Sequence, residues 1–245
     1  MRKKRLLKVT AVMAIIFAMA FGLMACKDKE TSKKSDTSSK TVTAMMSGDL
    51  KPESADTVDT SMSVIKFYEL VYDPLVRYGE NGKIEPALAE SYEISEDGTV
   101  YTFKLRKGVK FSNGEDFNAD NVLFNTDRWN EKVRSNFSAK LLDVKKIDDY
   151  TVQFTFDKAA YSILIEFTYP RPFRMLAKAS IDSNGKFKEP IGTGQWMVKN
   201  YKSGSEVTLV PNPNYWGKKP AFDKLVIKEV KDGQARTMAL QSKEA

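Results

Sequence analysis

Apolar residues recur at intervals of three and four in three stretches of the chain, which predicts helices. The first contains Val64, Ile65, Tyr68, Val71 and Tyr72 and must end before Pro74. The second is predicted over residues 119–129, with Asn118 as its N-cap and with Ala119, Val122, Leu123, Thr126 and Trp129 on one side. The third covers residues 234–242.

Strict alternation of apolar and polar residues predicts strands between these helices. Residues 99–105 place Tyr101, Phe103 and Leu105 on one face, and residues 151–156 show the same alternation. Two more strands are predicted over 207–210 and 225–230, separated by the Pro- and Asn-rich segment PNPNYWGKKP. Turns are predicted at 95–98, 112–115 and 148–149. Residues 41–245 are therefore expected to form an α/β body.

The N-terminus has the layout of a secretory signal. A basic segment, MRKKRLLK, precedes an apolar run of 17 residues, which is short for a membrane-spanning helix. The sequence Leu23-Met24-Ala25-Cys26 resembles the lipobox of bacterial lipoproteins, which implies cleavage after residue 25 and lipidation of Cys26. The alternative is an uncleaved anchor helix with an incidental cysteine. Because Cys26 is the only cysteine, an intrachain disulfide is excluded.

Residues 27–40 contain no apolar side chain and are expected to form a solvated tether. The predicted organisation is a signal peptide over 1–25, a lipid-anchored tether over 26–40 and a folded body over 41–245. The C-terminal sequence QARTMALQSKEA has no helix stop signal. We expect the architecture to be cut there, the alternative being a short domain with a frayed last helix.

Composition argues against several classes of function. The chain has no histidine, which removes Ser-His-Asp and Cys-His catalysis and histidine-based zinc sites. It has no Walker loop, and the adjacent carboxylates at 96–97 and 148–149 are typical of turns rather than of an acid and base pair. Five of the 39 basic residues lie before Ala25, where there is no acidic residue, so the rest carries 34 basic against 32 acidic residues. Neither an enzyme nor a nucleic-acid-binding protein is expected.

The segment YPRPFRMLA, residues 169–177, fixes an arginine between two prolines. Pro170 and Pro172 lock their own φ angles, and Pro172 also pushes Arg171 toward an extended conformation. On residue chemistry alone, Arg171 either faces a bound anion or pairs with an acidic neighbour at a packed corner.

Three longer blocks resemble the extracytoplasmic solute-binding proteins of peptide and nickel ABC importers, family 5. They are LAESYEISEDGTVYTFKLRKGVKFSNGEDFNADNV at 88–122, PIGTGQW at 190–196 and PNPNYWGKKPAFDKLVIKEV at 211–230. Within this family, YDPLVRY at 72–78 and YPRPFRMLA look like the nickel-binding branch. The resemblance implies a periplasmic-binding-protein-like fold of class II type, of which residues 41–245 would form the first of two lobes, with the second lobe missing.

The resemblance also implies roles for individual residues. Arg171 would line the ligand cleft and hold carboxylates of a small chelator that carries the metal, whereas Arg174 would be structural. Arg134 and Phe137 stand where the family has an arginine and a tryptophan, although the segment 131–139 is shorter here. No metal ligand is expected in this part of the chain, and Met62 is only a weak counterpart of a family methionine.

The expected function is capture of nickel as a small carboxylate-bearing chelate, as the lipid-anchored binding component of an ABC importer at the outer side of the cell membrane. Its partners would be the permease and ATPase, and nickel would be cargo rather than a cofactor. A di- or oligopeptide carrier of the same family is the first alternative. The second is a lipoprotein that uses this lobe as an adhesion or signalling surface without transport.

Overall fold

A four-stranded antiparallel sheet forms around the two most regular predicted strands. The computed structural model describes residues 39–48, 51–58, 65–170 and 172–244. Strands β4 (Ala89–Ile94), β5 (Val100–Leu105), β6 (Leu141–Asp148) and β7 (Thr151–Phe156) lie in the order β4-β5-β7-β6. Alternate side chains of β5 and β7 are buried, as the alternation predicts.

A second four-stranded sheet joins the first strand of the body to the last three. It contains β1 (Thr41–Met46), β8 (Trp196–Lys202), β9 (Glu206–Pro211) and β10 (Lys224–Glu229), in the order β1-β10-β9-β8. β1 runs parallel to β10, and the other pairs are antiparallel. A small hairpin of β2 (Val76–Tyr78) and β3 (Ile84–Pro86) lies between β1 and β4 in sequence.

Five α-helices are described. They are α1 (Ile65–Val71), α2 (Ala119–Asp127), α3 (Glu131–Arg134), α4 (Ile163–Glu166) and α5 (Gly233–Gln241). Asn118 caps α2 as predicted, but this helix ends two residues before Trp129. The cause is that Asn130 caps a new helix: its side-chain oxygen accepts the amide of Val133 at 3.0 Å. Within the described ranges, no helix combines the length and apolar character needed to cross a bilayer.

The body has two apolar cores, one for each large sheet. The first is rich in aromatic residues and packs against the β4-β5-β7-β6 sheet, and the second packs α1 against the β1-β10-β9-β8 sheet. Gly192 and Gly194 of the PIGTGQW block lie against α1, where a Cβ on either glycine would collide with the backbone of Val71. The block therefore requires glycine because two backbones come into direct contact.

Several predictions concern residues outside the described ranges. The signal peptide, Cys26, the tether up to residue 38, Met62 and Arg171 all belong to this group. They stay predictions from the sequence.

Candidate functional site

A cavity of about 730 Å³ lies beside the first aromatic core, a size typical of small-ligand sites. It is formed by α3, by the chain that leads from α3 into β6, and by the residues that follow β7. Its lining residues are Trp129, Glu131, Arg134, Ser135, Phe137, Ser138, Ala139, Lys140, Leu141, Asp157 and Lys158. Both described residues of the predicted binding set, Arg134 and Phe137, are among them.

Arg134 is the last residue of α3 and presents its guanidinium at the cavity wall. Its Nε donates a hydrogen bond to the carbonyl oxygen of Trp129 at 3.0 Å, which fixes the plane of the group. In the part of the chain that the structure describes, no carboxylate lies within ion-pair distance of it. The two terminal nitrogens therefore remain available to a ligand, and a guanidinium fork matches a carboxylate geometrically.

Phe137 is buried, with 6% of its surface exposed, and contributes to the floor of the cavity. Its ring stacks on Phe173 with 4.3 Å between centroids and 25° between planes. The ring of Trp129 lies 6.0 Å from Phe137 and 5.0 Å from Phe173. Because Phe173 belongs to the YPRPFRMLA segment, the structure brings this segment and the 131–139 segment into one aromatic cluster.

The loop between α3 and β6 is held by Glu166 of α4, by Ser162, which precedes α4, and by Asp157, which follows β7. The amide of Ser138 donates to Oε2 of the buried Glu166 at 3.0 Å, and the hydroxyls of Ser138 and Ser162 are 2.7 Å apart. Asp157 accepts the amide of Lys140 at 2.8 Å, which ties the start of β6 to the end of β7. These hydrogen bonds therefore hold this part of the cavity wall in place without a ligand.

Charges of both signs lie at the mouth of the cavity. Lys140 and Lys158 are exposed lysines, and Glu131 and Asp157 are exposed carboxylates. With Arg134 the lining carries three cations and two anions. The two lysines were not predicted from the sequence, because only the fold brings the end of β7 next to the start of β6.

A cluster of polar and charged side chains, also absent from the sequence prediction, surrounds the partly buried Asp73. Its Oδ2 accepts hydrogen bonds from Thr193 Oγ1 and Trp216 Nε1, both at 2.9 Å. Burial raises the pKa of the Asp73 carboxyl, while these two hydrogen bonds and Arg174 oppose the rise. Arg174 is 8% exposed, and burial lowers its pKa. Its Nη1 donates to the carbonyl oxygen of Tyr72 at 3.4 Å, a contact that belongs to the packing rather than to the cavity.

The adjacent carboxylates noted in the sequence include Asp97 and Asp148, which accept hydrogen bonds within turns. Asp97 Oδ1 accepts from Ser95 Oγ at 2.6 Å and from the amide of Thr99 at 3.1 Å, which lowers the pKa of this carboxyl. Asp148 Oδ1 accepts the amide of Tyr150 at 2.8 Å. Among the described residues, no three acidic or thiol side chains cluster in a way that could hold a metal ion.

Comparison with known proteins gives one consistent relationship. Residues 83–245 match the family model described as bacterial extracellular solute-binding proteins, family 5 Middle. The chain is 38% identical over 181 residues to the nickel-binding periplasmic protein of Escherichia coli (strain K12), covering 71% of this chain and 34% of that protein. It is 32% identical over 202 residues to di/tripeptide-binding protein 2 of Pseudomonas aeruginosa (strain UCBPP-PA14), covering 71% of this chain and 38% of that protein.

The fold agrees with this relationship. The crystal structure of NikA from Brucella suis in complex with Fe(III)-EDTA superposes with a TM-score of 0.76 at 33% identity, over 82% of this chain and 42% of that one. The chain thus spans little more than a third of the curated relatives it matches. The match confirms the predicted α/β periplasmic-binding-protein-like fold, and this chain covers about 42% of the matched structure.

Proposed function

Because the chain belongs to the family 5 bacterial extracellular solute-binding proteins, we propose that it is the substrate-binding component of an ABC importer and that its cargo is nickel in a small carboxylate-bearing chelate. The observation that carries this proposal is Arg134. Its guanidinium lines a cavity of ligand size, is oriented by the Trp129 carbonyl and has no carboxylate partner among the described residues. A free guanidinium fork beside an aromatic floor is suited to a carboxylate on a compact ligand.

Preorganisation supports the same choice. The cavity floor is a stack of rings, and its wall is fixed by Glu166 and Asp157. A rigid site loses little side-chain entropy when a ligand binds, which favours small ligands with few contacts. Arg171 lies outside the described residues, and we keep it as a second residue proposed to bind a carboxylate of the ligand.

Similarity to the relatives is the argument for the metal. The E. coli relative is named as a nickel-binding protein, and the B. suis structure holds a metal bound to EDTA, a chelator with several carboxylates. We propose that the metal reaches this chain inside its chelator, so that the protein contacts the organic acid. This reading requires no metal ligand from residues 39–244.

A di- or tripeptide is the second candidate ligand. The P. aeruginosa relative is named as a di/tripeptide-binding protein. The mixed charges at the cavity mouth favour this reading, since Glu131 or Asp157 could meet a ligand ammonium while Arg134 holds its carboxylate. Titration with both ligand types separates the two proposals.

The cellular setting follows from the N-terminal sequence. We propose that Cys26 carries the lipid anchor, that residues 26–40 tether the body to the outer side of the cell membrane, and that a permease and an ATPase are the partners. In this setting the protein is a carrier and not an enzyme. Mass spectrometry of the protein purified from its membrane tests the anchor, because acylation at Cys26 requires loss of residues 1–25.

Calorimetric titration of the purified protein with nickel–EDTA and, separately, with dipeptides tests the cargo. Arg134→Gln should weaken chelate binding about tenfold to a hundredfold, since a hydrogen bond to a charged group contributes about 1.5–3 kcal/mol. The matched control is Arg77→Gln, because Arg77 is exposed on the β2-β3 hairpin and pairs with Glu85 at 3.2 Å. Heat from dipeptides but none from the chelate would refute the nickel proposal. Unchanged chelate affinity in Arg134→Gln would refute the role of Arg134.

A further inference from the structure

The body contains three Asn-Gly dipeptides, and all three lie exposed in turns. They are Asn81–Gly82, Asn113–Gly114 and Asn184–Gly185, and each glycine has a positive φ angle. Glycine has no side chain to shield its backbone nitrogen, so that nitrogen can approach the preceding asparagine side chain closely. The three sites share the same chemistry but differ in their hydrogen bonds.

Asn113 is held on every side. Its Oδ1 accepts the amide of Glu115 at 3.1 Å, and its Nδ2 donates to Oε1 of Glu115 at 2.7 Å. The amide of Gly114 donates to the carbonyl oxygen of Phe111 at 2.9 Å. Both the side-chain amide and the following backbone nitrogen are therefore engaged.

Asn184 is held only in part. The amide of Gly185 donates to the carbonyl oxygen of Asp182 at 3.0 Å, which engages the backbone nitrogen. The backbone amide of Asn184 donates to Asp182 Oδ1 at 2.8 Å, but no described residue bonds the Asn184 side chain.

Within the described ranges, Asn81 lacks both kinds of contact, the hydrogen bond from the following glycine amide and a hydrogen bond to its own side chain. Asn81 and Gly82 lie in the short 3-10 helix Glu80–Gly82, in which, among the described residues, neither the Gly82 amide nor the Asn81 side chain makes a hydrogen bond of ordinary geometry. Asn81 itself has a φ of 60° and a ψ of 25°, a left-handed conformation that costs a non-glycine residue free energy. We propose that Asn81 is a modification site, at which spontaneous deamidation converts it to aspartate and isoaspartate faster than at the other two positions.

The reaction uses only water as a co-reactant. The backbone nitrogen of Gly82 attacks the side-chain carbonyl carbon of Asn81, a C–N bond closes a five-membered imide, and the side-chain nitrogen leaves as ammonia with the proton from the Gly82 amide. Water then opens the imide at either carbonyl and gives aspartate or isoaspartate. The product adds one negative charge to the β2-β3 hairpin, next to the exposed pair of Arg77 and Glu85.

The hydrogen bonds predict an order of rates in the folded protein. Each bond that must break before the nitrogen can attack slows the step about fivefold, a typical net effect of one hydrogen bond. Asn81 should therefore convert fastest, Asn184 about fivefold more slowly and Asn113 slowest.

Peptide mapping by mass spectrometry of the purified protein, incubated at mildly alkaline pH, measures all three sites at once. In denaturant the turn hydrogen bonds are lost, and the three rates should converge. Asn81→Gln should abolish conversion at its own position and leave the other two unchanged, and Glu115→Ala should accelerate conversion of Asn113. The proposal is overturned if Asn113 converts as fast as Asn81 in the folded protein, if no site converts, or if the same order persists in denaturant.

Discussion

Replacement of Asp73 should destabilise the fold far more than its single charge suggests. One carboxylate oxygen accepts hydrogen bonds from Thr193 and Trp216, residues 120 and 143 positions away in sequence. The same carboxylate is the negative charge that acts most directly on buried Arg174. Asp73 therefore joins the end of α1, the PIGTGQW block and the segment before β10.

The size of the effect can be worked from these contacts. In Asp73→Ala, each of the two stranded donors costs about 1–3 kcal/mol, and the buried Arg174 loses the largest of the charge interactions that favour its ionised form. These contributions overlap, so we expect a loss of about 3–5 kcal/mol in the free energy of unfolding. Asp73→Asn keeps an acceptor oxygen, and burial already disfavours the charged form, so a loss of only about 1–2 kcal/mol is expected.

Urea unfolding followed by tryptophan fluorescence measures this difference. The control is Asp116→Ala, because Asp116 is a largely exposed carboxylate paired with Lys110 and should change stability by less than about 0.5 kcal/mol. An unfolding midpoint for Asp73→Ala equal to that of the wild type would contradict the reasoning. So would an Asp73→Asn variant that is as unstable as Asp73→Ala.

Two further predictions concern pH and the cavity floor. Burial raises the pKa of Asp73 above its ordinary value of 3.8. At pH values between 3.8 and the raised pKa, the folded state therefore holds a proton on Asp73 that the unfolded chain has lost. The stability of the wild type relative to Asp73→Asn should therefore rise as the pH falls through the raised pKa and level off below 3.8; a difference independent of pH would contradict this. Phe137→Ala should cost about 3–5 kcal/mol and lower the midpoint of thermal unfolding, whereas Tyr161→Ala, at a fully exposed aromatic, should not. Equal midpoints for the two alanine variants in differential scanning calorimetry would show that the Phe137–Phe173 stack contributes nothing.

Most of the strands that were predicted from the sequence bury one face and leave the other partly exposed. β5 and β7 alternate because one face lies on the aromatic core and the other does not. β6 was missed: it is an edge strand, most of its residues are at least partly exposed, and two register shifts interrupt its alternation. β1 was missed because it pairs with β10, a strand from the other end of the body that is far away in sequence. Edge strands with broken alternation carry little periodic signal.

The candidate site was predictable only through family resemblance. Resemblance pointed to Arg134 and Phe137, and the structure places both at one cavity. Composition could not show that Phe137 stacks on Phe173, which is 36 positions away, since that contact depends on the fold, which also places Phe137 against Phe156 of β7. Nothing in the local sequence marks Asp73 either, because its partners are brought to it by the fold.

The two arginines near the cavity show how packing separates a binding role from a structural one. Arg174 lies under the surface against Tyr72, where desolvation lowers its pKa and Asp73 offsets part of the cost. Arg134 lies at the wall of the cavity, where one hydrogen bond orients it and no acid neutralises it among the described residues. The family resemblance drew attention to both arginines, yet of the two only Arg134 presents unpaired donors to the cavity. A guanidinium that is oriented but unpaired is the arrangement that lets a carboxylate bind without first displacing an internal partner.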